Sequence, residues 1–423
     1  MAVSRRLRAV TPEQAVAVSG FVAEFVAESV AESVADRAGL NAPALARLQA
    51  AFASLVERRR IPGAVLLIER RGGIGCFQSL GLQDPLRALP MRTDSIFRIY
   101  SMTKPIVSAA LLMLAERGRL SLRDPVAMFL PEFADVKLGV ERRVDGGSRL
   151  DRVAPSRAMT LHDLLRHTAG LTYEFQPPSA VRQCYIDAGM ASRARSNAEH
   201  CAVLASLPLL HEPGSVWNYS RATDVLGRVV EVLSGLPLGE HLRRDVFDPL
   251  GMTDTGFTVP AAEQARIAEP FANDPDSAAP ITLFDARRPA ALESGGGGLF
   301  STAADYARFL RMLLNGGTLD GVRLLGRKTV ENMTADHLGG VPRAGDLLPV
   351  GQGFGLGVAV KTQLGMGTEP GSVGTYGWSG AGGTAFFVDP QESLFALVMA
   401  QAPGQLDEVR ELFRQLVYAA IDA

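Results

Sequence analysis

Phe97-Arg98-Ile99-Tyr100-Ser101-Met102-Thr103-Lys104-Pro105 runs straight into the largely apolar stretch Ile106 to Leu114, the clearest buried-helix signal in the chain. Residues three apart share a helix face, so the Ser101 hydroxyl and the Lys104 amine can meet. Proline has no N–H and is cheap in a helix only within its first turn, so Pro105 puts Ser101 at or beside the N-cap. Unpaired backbone N–H groups and the positive end of the helix dipole converge there, a setting that favours an alkoxide or an oxyanion. With 25 serines and only four lysines (Lys104, Lys137, Lys328, Lys361) in 423 residues, chance gives about 0.24 Ser-x-x-Lys pairs. The single pair present stands ahead of this helix, although a plain serine cap followed by a solvated lysine would look the same locally.

The chain is 47% hydrophobic, enough for two domains or one large composite. A net charge of −2 offers no field for nucleic acid. Cys76, Cys184 and Cys201 are scattered and odd in number, which points to neither a disulfide framework nor a zinc site. Glu13 and Gln14 break the early apolar stretch, and no run reaches the roughly 18 residues of a membrane span, so a soluble, cytoplasmic protein is expected.

Outward from Ser101, the upstream segment reads as a helix capped by Asn41 and running to about Arg59, then a hairpin of Ala64 to Ile68 and Ile74 to Leu80 turned at Arg71-Gly72-Gly73. Further upstream, Val18, Val22, Val26, Val30 and Val34 make one stripe of a helical extension over residues 11–39. Downstream, residues 120–159 are irregular, Thr160 caps a short helix, and the polar residues 176–200 are expected to form a loop over the site. Helices follow at Asp224 to Ser234, Leu238 to Leu250 and Ala304 to Leu314. Strands return at Gly353 to Lys361, Thr375 to Trp378, Thr384 to Val388 and Leu394 to Ala400, before a last helix from Leu406 to Ile421. Strands at both chain ends and helices between them predict an α+β fold, with one antiparallel sheet flanked by helices and a helical insertion. The expected division is an extension over 1–39, a sheet domain over 40–110, 161–225 and 285–423, and a helical domain over 111–160 and 226–284.

An activated serine needs a base, and a free lysine near 10.4 is protonated at neutral pH unless burial lowers it. Tyr219, at a loop-to-helix junction in Trp217-Asn-Tyr219-Ser220-Arg221, offers a second proton carrier, with a phenol that would titrate low if cations crowd it. The glycine-rich Tyr376-Gly-Trp378-Ser379-Gly380-Ala381 suits a strand approached closely by a ligand or another backbone.

Taken in order, Ser101-Met-Thr-Lys104, Tyr219-Ser-Arg221 and Trp378-Ser379-Gly380, with Leu165-Arg-His167-Thr-Ala-Gly170 and Gly295-Gly-Gly-Gly298 between them, resemble the serine β-lactamase and penicillin-binding-protein superfamily. They look most like its family VIII carboxylesterases, which are similar to class C β-lactamases. The resemblance implies Ser101 as the acylated nucleophile, Lys104 as its proton partner and Tyr219 as general base and then acid. It also implies an oxyanion hole from the N–H groups of Ser101 and Ala381, substrate contacts at Trp378, Ser379 and Gly380, and neither metal nor cofactor. Penicillin-recognising members commonly carry Lys-Thr-Gly at Trp378-Ser379-Gly380 and Asn at Arg221, so the departures favour neutral esters; short-chain ones are the expected substrates, with slow β-lactam hydrolysis as a side activity. The alternatives are a class C-like β-lactamase, a D-alanyl-D-alanine peptidase-like enzyme, or a catalytically silent penicillin-binding-like module.

Other chemistries fit less well. Gly377-Trp-Ser379-Gly-Ala381 nearly matches the Gly-x-Ser-x-Gly elbow of α/β-hydrolases, but the last histidine, His337, precedes it, whereas that fold places histidine after the nucleophile. The six histidines have no metal-binding spacing and read mostly as surface or capping groups.

Overall fold

The computed structural model describes residues 38–145 and 147–422, so the expected extension over 1–39 lies almost wholly outside the described residues. Helix α1 (Ala42–Glu57) starts as its sequence predicts, with the Asn41 side chain accepting from the Ala44 N–H and proline in the first turn. Strands β1 (Gly63–Arg70) and β2 (Gly73–Asp84) form the hairpin, and Arg71 and Gly72 make its turn with φ of 54° and 78°. A short β3 (Leu89–Pro90) follows, then helix α2 (Thr103–Glu116) carrying the Ser101 region at its head, α3 (Ala222–Ser234) and α4 (Ala303–Leu314). The C-terminal part supplies β4 (Gln352–Phe354), β5 (Ala359–Lys361), β6 (Tyr376–Gly380), β7 (Thr384–Asp389), β8 (Leu394–Ala400) and helix α5 (Leu406–Tyr418).

Among the described residues these strands form one eight-stranded sheet in the order β4-β5-β6-β7-β8-β1-β2-β3. The two chain ends meet where β1 pairs with β8 antiparallel, Leu67 opposite Leu397. Both central strands are buried along their length, because the sheet is covered on both faces. Ala64, Leu66 and Ile68 point to the layer of α1 and α5, where Phe52 meets Phe413 edge-on at 6.0 Å. Val65 and Leu67 point the other way, to a larger core shared with α2, α3 and α4. That second core seats the Ser101 turn between the helices and β6.

Four local expectations are corrected. The polar stretch after residue 138 is a two-stranded ribbon, Leu138–Val144 with Gly147–Val153, mostly solvated and therefore without an apolar pattern to announce it. Within residues 176–200, Ser179 and Ser196 cap two helices, Ala180–Asp187 and Asn197–Ser206. The single strand expected from Gly353 to Lys361 is two strands: a Cβ at Gly355 would meet the Met333 carbonyl at 2.3 Å, and Gly357 has φ +98°. The helix expected from Leu238 to Leu250 is interrupted by a π-turn at Arg243–Phe247.

Candidate active site

Ser101 sits in a single 3₁₀ turn, Tyr100–Met102, one residue ahead of Met102, the N-cap of α2. The turn is entered through Tyr100 at φ +43°, a left-handed conformation costly for an aromatic residue. Packing holds it there. Phe284 meets the Tyr100 ring edge-on at 4.8 Å, and a Cβ on Gly382 would come within 2.9 Å of that ring. The strained turn lifts Ser101 out of the helix while leaving Lys104 in its first turn.

Lys104 is fully buried. Its Nζ lies 3.2 Å from Ser101 Oγ, 3.2 Å from the Tyr173 hydroxyl and 2.6 Å from the Gly296 carbonyl oxygen. Burial brings the amine down from 10.5 to about 7; Asp224 resists this and Arg221 assists it. A neutral amine has two N–H donors and one lone pair. Gly296 O can only accept, and the Tyr173 oxygen can take the second N–H, which leaves the lone pair for the Ser101 proton. The three partners therefore suit a neutral lysine as well as a charged one.

Tyr219 is buried, and its hydroxyl accepts from Trp378 Nε1 at 3.1 Å and lies close enough to Ser101 for that side chain to act on its titration. Its ring lies 4.5 Å from Lys104 Nζ, 4.8 Å from the His167 ring and 5.2 Å from the Trp378 ring. Burial pushes the phenol above its ordinary value by more than Ser101 and the hydrogen bond from Trp378 bring it down. The expectation of a low-titrating phenol is thus corrected. The cation that would have lowered it, Arg221, is tied into a two-pronged pair with Glu174 at 2.8 and 2.9 Å and stands 3.5 Å from Asp224.

The edge of β6 runs beside the Ser101 turn. Gly380 is a spacer rather than a wall of the site: a Cβ there would lie 2.3 Å from the Ile99 carbonyl oxygen, so only glycine lets the strand come this close. Its neighbours Trp378, Ser379 and Ala381 line a cavity of about 550 Å³ together with Ser101, Tyr219, Tyr173, Phe175 and Phe284. That volume lies within the usual range for a small-molecule site, about 300–1,000 Å³. Among the described residues, neither the Ser101 N–H nor the Ala381 N–H has an acceptor.

Several contributors were invisible in the sequence. Tyr173 and the Gly296 carbonyl reach Lys104 from segments remote in the chain, and Asp224 holds the Gly296 loop by accepting from its N–H at 3.0 Å. Of the two that reach Lys104, Gly296 alone lay in a stretch flanking the motifs, Gly295-Gly-Gly-Gly298; Tyr173 had no sequence signal. His167 is also not the surface group expected. It is buried below Tyr219, its carbonyl accepting from Asn218 N at 2.9 Å, and His200 and His241 are buried too.

A family model described as Beta-lactamase matches residues 48–420. The chain belongs to the β-lactamase family. Within the serine β-lactamase and penicillin-binding-protein superfamily it stands with the family VIII carboxylesterases. Esterase EstB of Burkholderia gladioli is 34% identical over 407 residues, spanning 90% of this chain and 97% of its own. Lovastatin esterase of Penicillium rubens is 29% identical over 405 residues, spanning 89% and 99%. The solved structure of EstCE1, described as a hydrolase with promiscuous acyltransferase activity, superimposes with a TM-score of 0.75 at 27% identity, over 89% of this chain and 98% of that one. In this β-lactamase-family chain the two departures from the penicillin-recognising pattern acquire a physical meaning. Trp378 puts a neutral indole donor on Tyr219 where others carry an ammonium, and Arg221 is neutralised by Glu174 and Asp224.

Proposed function

We propose that this chain is a serine carboxylesterase that hydrolyses neutral, short-chain esters through an acyl-enzyme on Ser101. The observation that carries the reading is the buried Lys104 amine, brought to about 7 and 3.2 Å from Ser101 Oγ. The names of the esterase relatives support the reaction class. Neutral Lys104 takes the Ser101 proton as Oγ attacks the ester carbonyl, and the N–H groups of Ser101 and Ala381 receive the oxyanion. Each such donor is typically worth about 10²–10³ in rate. As the tetrahedral intermediate collapses, Tyr219, protonated throughout the ground state, donates to the leaving alkoxide and is reprotonated from Lys104. Water then attacks the acyl-enzyme with the same groups acting in reverse order, releasing the acid and restoring Ser101.

Neutral esters follow from the absence of a free cation at Trp378, and short chains from a cavity walled by Tyr173, Phe175 and Phe284. A β-lactam would meet the same acylation groups but no ammonium for its carboxylate at Trp378, so a chromogenic cephalosporin should turn over far more slowly than a 4-nitrophenyl ester. Assembly of all three groups at one cavity favours an active enzyme over a silent binding module. The test is intact mass after treatment with a phosphonate ester, mapped by peptide analysis. One adduct on Ser101, absent in Ser101→Ala along with ester hydrolysis, is expected. An adduct elsewhere, or hydrolysis that survives Ser101→Ala, refutes the assignment.

A further inference from the structure

Arg193 lies in the segment between the helices Ala180–Asp187 and Asn197–Ser206 and lines the same cavity as Ser101. Its guanidinium carbon sits 4.0 Å from the centroid of Phe284, whose ring in turn meets Tyr100, the residue before Ser101. Among the described residues, no carboxylate lies within salt-bridge distance of Arg193 and no acceptor takes a hydrogen bond from its guanidinium. This separates it from its neighbour in the cavity, Arg221, which Glu174 and Asp224 occupy. Stacking on a ring uses the face of a guanidinium and leaves its in-plane N–H donors unspent. Phe284 therefore orients the Arg193 donors without satisfying them.

We propose that Arg193 binds a carboxylate carried by the ester substrate a few methylenes from the scissile bond. This rests on Ser101 being the nucleophile and restricts the neutral-ester reading to the part of the substrate beside Trp378, with the far end, which reaches Arg193, anionic. A planar carboxylate fits a single guanidinium in charge and in its two parallel N–H donors. A phosphate dianion is a poorer match, because the other guanidiniums that line the cavity, Arg221, Arg410 and Arg414, are already paired with carboxylates. Burial lowers the Arg193 guanidinium, and an incoming anion would offset that desolvation.

The experiment compares two esters of equal acyl length, 4-nitrophenyl hydrogen glutarate and 4-nitrophenyl pentanoate, and reads the ratio of their kcat/KM values. Arg193→Gln should lower that ratio about ten- to a hundredfold, and Arg193→Lys should recover part of it. In the wild type, glutarate should inhibit pentanoate hydrolysis competitively and far better than glutaramide. A ratio unchanged in Arg193→Gln, or equal inhibition by glutarate and glutaramide, overturns the proposal while ester hydrolysis itself stands. If neither ester is turned over, the reading of Ser101 fails instead, and calorimetric binding of glutarate to wild type and Arg193→Gln still decides the role of Arg193. Should Arg193→Gln not fold, the wild-type comparison of glutarate with glutaramide decides alone.

Discussion

The decisive perturbation is Asp224→Asn, because the proposed base owes its charge state to a balance that Asp224 alone opposes. Burial and Arg221 drive Lys104 down; Asp224 holds it up, with the outcome near 7. Asparagine keeps the oxygen that accepts from Ser294 Oγ at 2.5 Å and from Gly296 N at 3.0 Å, so the Gly296 carbonyl stays on Lys104. What is lost is one negative charge that holds the amine up, taken as a shift of about one pK unit, or ~1.4 kcal/mol. The sign follows directly. The active form is the neutral amine, so activity rises with pH through the Lys104 titration, and removing the anion moves that rise to lower pH, from about 7 to about 6. At pH 6 the neutral fraction of the amine would go from about a tenth to about a half, and activity at pH 6 relative to pH 8 would rise about fivefold. The assay is kcat/KM for a 4-nitrophenyl ester from pH 5 to 9, read at the isosbestic wavelength of the product. The midpoint is the readout, since the height of the profile also feels any shift of Arg221. A midpoint that stays near 7 or moves upward would refute Lys104 as the titrating base.

Tyr219→Phe removes the hydroxyl that accepts from Trp378 close to Ser101 and should lower kcat about 10²–10⁴-fold with little change in KM, measured on the same ester. Gly380→Ala would bring a Cβ to 2.3 Å from the Ile99 carbonyl, displacing the strand edge from the nucleophile; a proportionally larger loss of esterase activity than of thermal stability is expected, and equal losses would argue against the strand as part of the site. Asp305 is raised by burial to about 6, so the folded state holds its proton more tightly than the unfolded chain, and stability from this group falls as pH rises from about 4 to 6. Asp305→Asn keeps an oxygen for the Asp254 N–H and Thr255 hydroxyl and should gain on the wild type by about 2–3 kcal/mol between pH 4 and 7, read as the difference in Tm at the two pH values.

The sheet was legible because its strands carry their own signals: apolar runs such as Leu394 to Ala400, and turn residues such as Arg71-Gly72-Gly73. The polar ribbon from Leu138 was not, since strands solvated on their outer side show no period that a loop lacks. At the site, Ser101 and Lys104 were readable because helical spacing alone brings them together. Tyr173, Gly296 and Asp224 were not, because they are joined to Lys104 only by tertiary packing and one of them contributes only a backbone oxygen. The titration of Tyr219 was misjudged for the same reason. Arg221 stands two residues from it in sequence, but the structure commits that charge to Glu174, and burial then dominates.

The charges around Lys104 show which physical effect sustains the chemistry. Asp224 favours the ammonium form and Arg221 opposes it, so the two nearest charges pull in opposite directions. Desolvation is the largest influence and decides for the amine. The depression from 10.5 to about 7 corresponds to a penalty on the charged form on the order of 5 kcal/mol, which water at the site would largely cancel. Tyr173 and Tyr219, stacked around Nζ at 5.4 and 4.5 Å, are the walls that keep water out, and Trp378 locks the second of them in place. An ammonium at position 378 would lower Lys104 by repulsion and allow a wetter site; with an indole there, the depressed amine depends on a dry aromatic enclosure.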